Sequence, residues 1–553
     1  MTGASAVGPH AEAAAGAGRG RRVRAVLATL ALLGCAGLLA AADTLLPAAA
    51  SRAWLDDVGL AGTAEAAAVR QVPAQAAPAV LGCPAPPQAV PIEGTDVQFA
   101  PQPVGTQSRV RVVADAATTG DLRVLAPGTA AAEPLLVVDE RGGVRTGEAA
   151  GAEAVRVVGA PLDADTSPVT AATFSALTTA GDLRGLAAAA CAPPRADTWL
   201  VGGGVEVGRS TRLVLSNPGA TPAVADVTVL GGAGRTVPQA GQDVLVPPGD
   251  VVQVAVEGLV GPDPLLTVGV SATGGLLGAV LVDSAVRGLT PAGVEVVSPS
   301  EPATRLVLPG VPGGPDTATL RLAVPGDAPA VVGWRVEGTA GPLGGAEPAA
   351  TTVPGGTVVD VPLEAVDAGP AAVVVESDVP VLASVQVTRA ASEPADETDQ
   401  TADAGGAGGV PPAAEGTTER AWVGPAAPLT GRTLLALPAG PVAATLAISV
   451  SPDANVDRPV PVTVVPVRDD GVDGAAVEVA VTPGTTATVG ADVLRDAVAV
   501  RLRVSTTAVH AAAVLTASAS PQGGADLVSV VAVPAAPDPP GSLSLRSAAG
   551  GWP

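Results

Sequence analysis

Three stretches of this chain repeat one another, and that repetition limits the folds open to it more than any other feature. A Pro-Gly turn followed by an alternating strand reads VPPGDVVQVAV at 246–256, VPGGTVVDVPL at 353–363 and VTPGTTATVGA at 481–491. A strand, a polar turn and a second strand read VSATGGLLGAVLVDS at 270–284, VESDVPVLASVQVTR at 375–389 and VSTTAVHAAAVLTAS at 504–518. From the turn glycine (Gly249, Gly355, Gly484) to the first Val of the second landmark (Val270, Val375, Val504) the spacing is 21, 20 and 20 residues. Near-constant spacing of two landmarks argues for one supersecondary unit used three times.

Within the repeats the side-chain period is two. Val381, Ala383, Val385 and Val387 share one face; Leu382, Ser384, Gln386 and Thr388 share the other. Leu320, Leu322 and Val324 alternate with Thr319, Arg321 and Ala323 in the same way. One apolar and one mostly polar face is the pattern of antiparallel strands with one solvated side. Abundant Val suits a pleated surface, and 68 Gly with 55 Pro supply many turns. Modules of this length, with strands at short regular intervals, predict an all-β chain of tandem immunoglobulin/fibronectin-like β-sandwich modules.

The N-terminus carries a membrane signal. Arg19, Arg21, Arg22 and Arg24 precede 18 uncharged residues, AVLATLALLGCAGLLAAA, at 25–42. As a helix this run is ~27 Å long, close to the ~30 Å hydrocarbon core. Arginines on its N-terminal side predict a cytoplasmic N-terminus and an extracytoplasmic remainder, at the cell (plasma) membrane. Three readings stay open: an uncleaved signal anchor, a signal peptide cleaved after Ala42, or a lipoprotein signal with Leu32-Leu33-Gly34 before Cys35.

These landmarks divide the chain. Residues 1–24 form a cytoplasmic basic tail, 25–42 a transmembrane signal anchor, and 43–80 an Ala/Pro-rich stalk with a short helix within 51–70. Residues 81–195 form a Cys-bounded β module with strands near 109–113, 122–125, 135–138 and 154–158. Repeats follow at 196–300, 301–390 and 421–533. An acidic Gly/Pro linker at 391–420 holds seven acids and one Arg, too polar to bury a core. A loose tail spans 534–553. Past the membrane run only Cys83 and Cys191 remain, each before a Pro-rich stretch. An even count in an oxidising compartment predicts one disulfide closing the first module.

Composition excludes several chemistries. All 30 basic residues are Arg, so the P-loop and Schiff-base chemistries that need Lys are closed. Two His leave no multi-histidine metal site. Net charge is −23, and −26 beyond residue 42, so the chain would repel phosphates; two Phe, five Trp and no Tyr offer few stacking surfaces. No nucleic-acid partner is expected. His510 sits in an apolar strand without an evident acid and reads as structural. Asp453, Asp457, Asp469, Asp470 and Asp473 could offer oxygens to Ca²⁺, but the spacing is not that of an EF-hand and reads as a solvated loop. Gly202-Gly203-Gly204 precedes a strand rather than a helix, which favours a turn or bulge over a phosphate loop. Trp199 and Trp422 lie near module starts and read as core anchors. No catalytic, cofactor-binding or metal residue is assigned, and no cofactor is expected.

CAPPRADTWLVGGGVEVGRSTRLVLSNPG at 191–219, with DSAVRGLTPAG at 283–293, resembles actinobacterial envelope proteins grouped only as a domain of unknown function (domain of unknown function fifty-seven nineteen). The resemblance spans roughly residues 80–530. It implies a membrane segment, a Cys-bounded first module and a β-rich remainder, and brings no catalytic residue. The function expected from topology is a non-enzymatic, membrane-anchored structural or interaction protein of the cell envelope, scaffolding or assisting glycan assembly through an envelope protein partner. The alternatives are a carboxylate-only polysaccharide hydrolase and a glycan-binding adhesion module.

Overall fold

The computed structural model describes residues 69–88, 105–127, 133–138, 143–151, 153–314, 316–344, 348–363, 366, 369–390, 417–452, 456, 458–518 and 526–546. The expected tail, membrane run and most of the stalk (1–68) lie outside them. Among the described residues no helix is long and apolar enough to cross a membrane.

The chain divides into two compact units. In the smaller, Val69–Pro73 pairs antiparallel with Ser542–Arg546, from Val69 opposite Arg546 to Pro73 opposite Ser542. Two expectations change here. Residues 69–70, placed in a stalk helix, are strand. The tail, expected to be loose, contributes its partner: SLSLR is an alternating stretch that a count of Pro, Gly and Ser overlooks.

In the larger unit, residues 75–540, a pattern of eight antiparallel strands occurs four times. The first copy runs Ala79–Cys83, Gln107–Asp115, Thr119–Leu125, Leu136–Val138, Val144–Ala150, Val155–Pro161, Thr170–Thr178 and Gly185–Ala190. Its first, sixth, third and fourth strands form one sheet in that order; its fifth, second, seventh and eighth form the other. The same two orders recur from Asp197–Val201 to Thr290–Val297, from Ala303–Val311 to Thr418–Val423, and from Arg432–Ala436 to Leu527–Ala532. The Cys-bounded module is thus a fourth copy of the repeat. Its sequence hides this because no Pro-Gly turn opens its fifth strand: ERGGVRTGEAA stands there.

Two further boundaries move. Thr418–Val423 pairs with the end of Ala371–Ala390, Ala390 opposite Thr418 and Val385 opposite Val423. It is the eighth strand of the third module, not the start of the fourth. Residues 391–416 therefore join two paired strands inside one module rather than linking two modules. In this copy the sixth and seventh strands are also one 20-residue strand. Its N-terminal part pairs in one sheet and its C-terminal part in the other.

Each module buries its own apolar faces, and the modules also pack on one another in a closed ring. The outer face of the second module's 5-2-7-8 sheet (Val214, Val282) joins the first module's core. Ala323, Val358 and Leu382 of the third pack against Val201 and Leu230 of the second. Ala512, Val514, Val528 and Val530 of the fourth enter the third module's core. Val113, Val144 and Ala171 of the first meet Leu434, Ala436, Val467 and Ala499 of the fourth. Eight sheets therefore follow one another face to face around the ring. This alters the reading of Leu382 and Ser384. Both were placed on a polar face, yet they are 0 % and 2 % exposed, because that face is covered by the second module. Strands such as Val509–Ala517 are buried on both sides, the condition under which apolar runs replace alternation.

Candidate functional site

The four eighth strands meet at the middle of the ring. Gly185–Ala190 touches Thr290–Val297, which touches Thr418–Val423, which touches Leu527–Ala532, which returns to Gly185–Ala190. Each is the last strand of its sheet, so one side of its backbone has no ladder partner. Buried backbone groups must still be hydrogen-bonded. Side chains from the other modules supply the partners. The Leu186 amide donates to Glu419 Oε1 at 3.1 Å. The Ala188 amide lies 3.2 Å from both Glu295 Oε1 and Ser529 Oγ. Two carboxylates and a hydroxyl, one from each other module, thus serve alternate amides of a single strand.

Both carboxylates are enclosed, Glu295 at 1 % and Glu419 at 0 % exposure. Burial disfavours their ionised forms and pushes both well above the usual carboxylate range. Hydrogen bonds from Val296, Ser529 and Ala188 oppose the rise at Glu295, while the charge of Glu419 adds to it. At Glu419 the Leu186 amide and the charges of Arg184 and Arg389 oppose it; Arg184 Nη1 lies 3.7 Å from Glu419 Oε2. Backbone contact at the axis is close. A Cβ on Gly185 would stand 2.7 Å from Val294 Cγ1 and 2.8 Å from its amide nitrogen.

A second buried charge network joins the second and third modules. Arg321, 1 % exposed, pairs with both oxygens of Asp360 at 2.8 Å. It reaches across to the carbonyls of Gly203 (2.6 Å) and Pro264 (2.9 Å). Its guanidinium lies 5.0 Å from the Trp422 ring centre, within cation–π range. Trp422 in turn donates its indole N–H to Asp283 Oδ2. Arg209 grips Asp283 with two hydrogen bonds, 2.8 and 2.7 Å. Burial opposes ionisation of Asp283, but Arg209 outweighs it and holds the carboxyl below its ordinary value.

The residues singled out from sequence fall into these contacts. Cys83 and Cys191 form a disulfide, Cα atoms 4.5 Å apart, tying the first strand of the first module to the end of its eighth. Gly202-Gly203-Gly204 is a docking surface: Gly203 has φ +82° and offers its carbonyl to Arg321, and a Cβ on Gly202 would meet the Trp422 ring at 3.1 Å. Trp422 anchors the core of the second module although it belongs to the third. His510, 9 % exposed, donates through Nδ1 to the Ala426 carbonyl at 2.9 Å, and burial lowers its pKa. The acidic loop is broken up into ion pairs: Asp469 with Arg111, Asp470 with Arg468, and Asp473 with Arg501. Asp453 and Asp457 lie outside the described residues. Among the described residues no group of three or more His, Cys, Asp or Glu is placed to hold a metal ion.

Glu295 and Glu419 went unmarked in the sequence, and Arg321 was placed on a solvated polar face although it is 1 % exposed. Their signal is local: each is a charge inside a largely apolar strand, alone in VEVV and TLRLA and beside Arg420 in TERAWV. A charge so placed must be paired or neutralised on burial. The arrangement is a structural polar core: Oε1 of each axial carboxylate accepts from a strand amide, and Arg321 and Arg209 are held by Asp360 and Asp283.

No curated protein matches the chain. A model described as a family of unknown function (DUF5719) matches residues 144–492, from the fifth strand of the first module into the fourth, and the chain belongs to that family.

Proposed function

We propose that this protein is a membrane-anchored, extracytoplasmic scaffold of the cell envelope that holds a protein partner and performs no catalysis of its own. The observation that carries the reading is the closed ring. Four modules share their cores in a cycle, and buried Glu295, Glu419 and Arg321 each contact another module. Such a body offers rigid outer surfaces in fixed relation, which suits positioning rather than turnover. The Arg-flanked apolar run at 25–42 and the disulfide support an anchored, oxidising location.

We read each module as a variant of the immunoglobulin-like sandwich. Pairing of the second strand with the fifth, and of the third with the sixth, supports this. The ends differ. The first strand lies beside the sixth and the seventh beside the second, whereas in the immunoglobulin order the first strand lies beside the second.

The test is in-cell crosslinking of the full chain, carrying a C-terminal tag, followed by solubilisation and mass spectrometry. Reproducible recovery of one or a few envelope proteins is the expected result. Recovery of wall glycan alone, or of nothing, would remove the scaffold reading.

A further inference from the structure

Three of the four junctions in the ring are crossed by the chain itself. Residues 191–196, 298–302 and 424–431 lead from each module into the next, at most eight residues at a time. A link of that length spans at most about 28 Å fully extended, so those modules cannot move far apart. The fourth module has no such link to the first: Leu527–Ala532 ends the one and Ala79–Cys83 begins the other. This junction is a seam, closed by non-covalent contacts.

The seam has an apolar patch and a polar latch. Val113, Val144 and Ala171 meet Leu434, Ala436, Val467 and Ala499, and Leu177, Leu186 and Ala188 reach the fourth module's core. The latch comes from one loop of the fourth module, 468–474. The Val144 amide donates to the Gly471 carbonyl at 3.2 Å, and the Thr146 hydroxyl to the Asp469 carbonyl at 3.0 Å. Arg111 pairs with Asp469 at 3.6 Å. In the reverse direction Arg501, held by Asp473, donates to the Gly143 carbonyl at 3.2 Å and lies 4.0 Å from Asp115. The Asp469 side chain is 84 % exposed, so salt screens its pairing.

The chain ends add a strap. Val69–Pro73 precedes the first module, Ser542–Arg546 follows the fourth, and the two pair antiparallel. The Ala76 amide donates to the Ala164 carbonyl at 2.7 Å, and the Ser167 hydroxyl to the Asp538 carbonyl at 2.6 Å. Both ends thus leave the ring beside one connection of the first module. Two strands alone make a marginal ribbon. A closed seam keeps these two at high effective concentration, and by linkage their pairing favours the closed seam in return.

We propose that the seam between the first and fourth modules is a salt-sensitive clasp, at which the ring opens while each module stays folded. Opening uncovers the apolar patch around Val113 and Ala171 and releases the terminal ribbon. The proposal goes beyond the scaffold reading and can fail separately, because a ring that never opens would still capture its protein partner.

Thiol labelling of the full chain tests it. Ala171 at the seam, Ala323 between the second and third modules and Ala512 between the third and fourth are all buried and small. Each is changed to Cys in a Cys35→Ala background, where Cys83 and Cys191 are bridged and the new thiol is the free one. Under native conditions iodoacetamide should label Ala171→Cys about tenfold or more faster than Ala323→Cys or Ala512→Cys, because only the seam opens without unfolding a module. Asp469→Asn keeps the backbone carbonyl that Thr146 uses and removes the charge. It should speed labelling of Ala171→Cys about two- to fivefold, the scale of one exposed ion pair, and leave the other two sites unchanged. A chain stopped after Gly541 should speed Ala171→Cys alone as well. In the parent chain, hydrogen exchange at the Val144 amide should rise from low to molar NaCl. Equal labelling at the three sites overturns the proposal. So does equal acceleration at all three by either change, which would report global unfolding, and so does Val144 exchange that is flat with salt.

Discussion

Trp422 of the third module donates its indole N–H to Asp283 of the second, 2.9 Å away, inside a core belonging to the second module. The same carboxylate is held by Arg209, whose side chain is 4 % exposed. One aspartate thus binds a strand of its own module and an anchor from the next. Asp283→Ala would leave the buried Arg209 charge with only the part-exposed Glu206, 3.5 Å away, at a cost toward the lower end of about 3–5 kcal/mol. Trp422→Phe should cost less, about 1–3 kcal/mol, since Arg209 still satisfies the carboxylate. Chemical denaturation of the two variants should give this order; a larger loss from Trp422→Phe would contradict the network.

The axial carboxylates give a pH dependence with a definite sign. Glu295 has its folded pKa raised above 4.5 by burial. Its neutral form therefore stabilises the fold fully below about 4.5, and that contribution is lost as pH rises through the raised value. Glu419 and its neighbours Arg184 and Arg389 face the same centre. Glu295→Gln keeps an acceptor for Ala188 and cannot ionise. Its unfolding midpoint should fall less than that of the parent as pH rises above about 4.5. Parallel curves for parent and variant would refute the assignment.

Reduction of Cys83–Cys191 releases a sequence separation of 108 residues. The chain-entropy account puts the loss at about 4–5 kcal/mol. A Cys83→Ala, Cys191→Ala double variant should show a lowered midpoint by calorimetry. Hydrogen exchange should rise most at 79–83 and 185–190, the strands that the bridge ties together.

At the axis, Gly185→Ala places a methyl group within 2.8 Å of backbone at Val294. The two strands would have to separate, opening four modules at their shared centre. Loss of about 1–3 kcal/mol is expected, as for overpacking in a close-packed core. Faster proteolysis of the variant under native conditions would report the opening, and an unchanged rate would mean that the contact tolerates the methyl.

The strand content and the repeat were legible because period-two alternation and Pro-Gly turns are local signals. Val381 through Thr388 reads as a strand from its letters alone. Where the strand's second face goes was not legible. Leu382 and Ser384 looked like a solvated side because alternation records one neighbouring layer, and a ring supplies two. The first module escaped detection as a copy for a similar reason. Its pairing order is that of the others, but Gly142-Gly143 stands where they have Pro-Gly. The pairing of Cys83 with Cys191 was legible because beyond the apolar run at 25–42 the chain leaves no other choice. Glu295 and Glu419 are separated by 124 residues and meet only through module packing, which no local pattern encodes.

The insertion at 391–416 enters and leaves through register partners, Ala390 and Thr418. Its two ends are fixed side by side, so its length is nearly decoupled from the ring: closure entropy grows by only about 0.6 kcal/mol for each doubling of the connecting length. That makes this connection the address at which such a protein can acquire, exchange or shed sequence at little structural cost. A cut made there would leave two polypeptides and one body, and a reporter or affinity handle spliced there would ride on the third module without re-registering any strand.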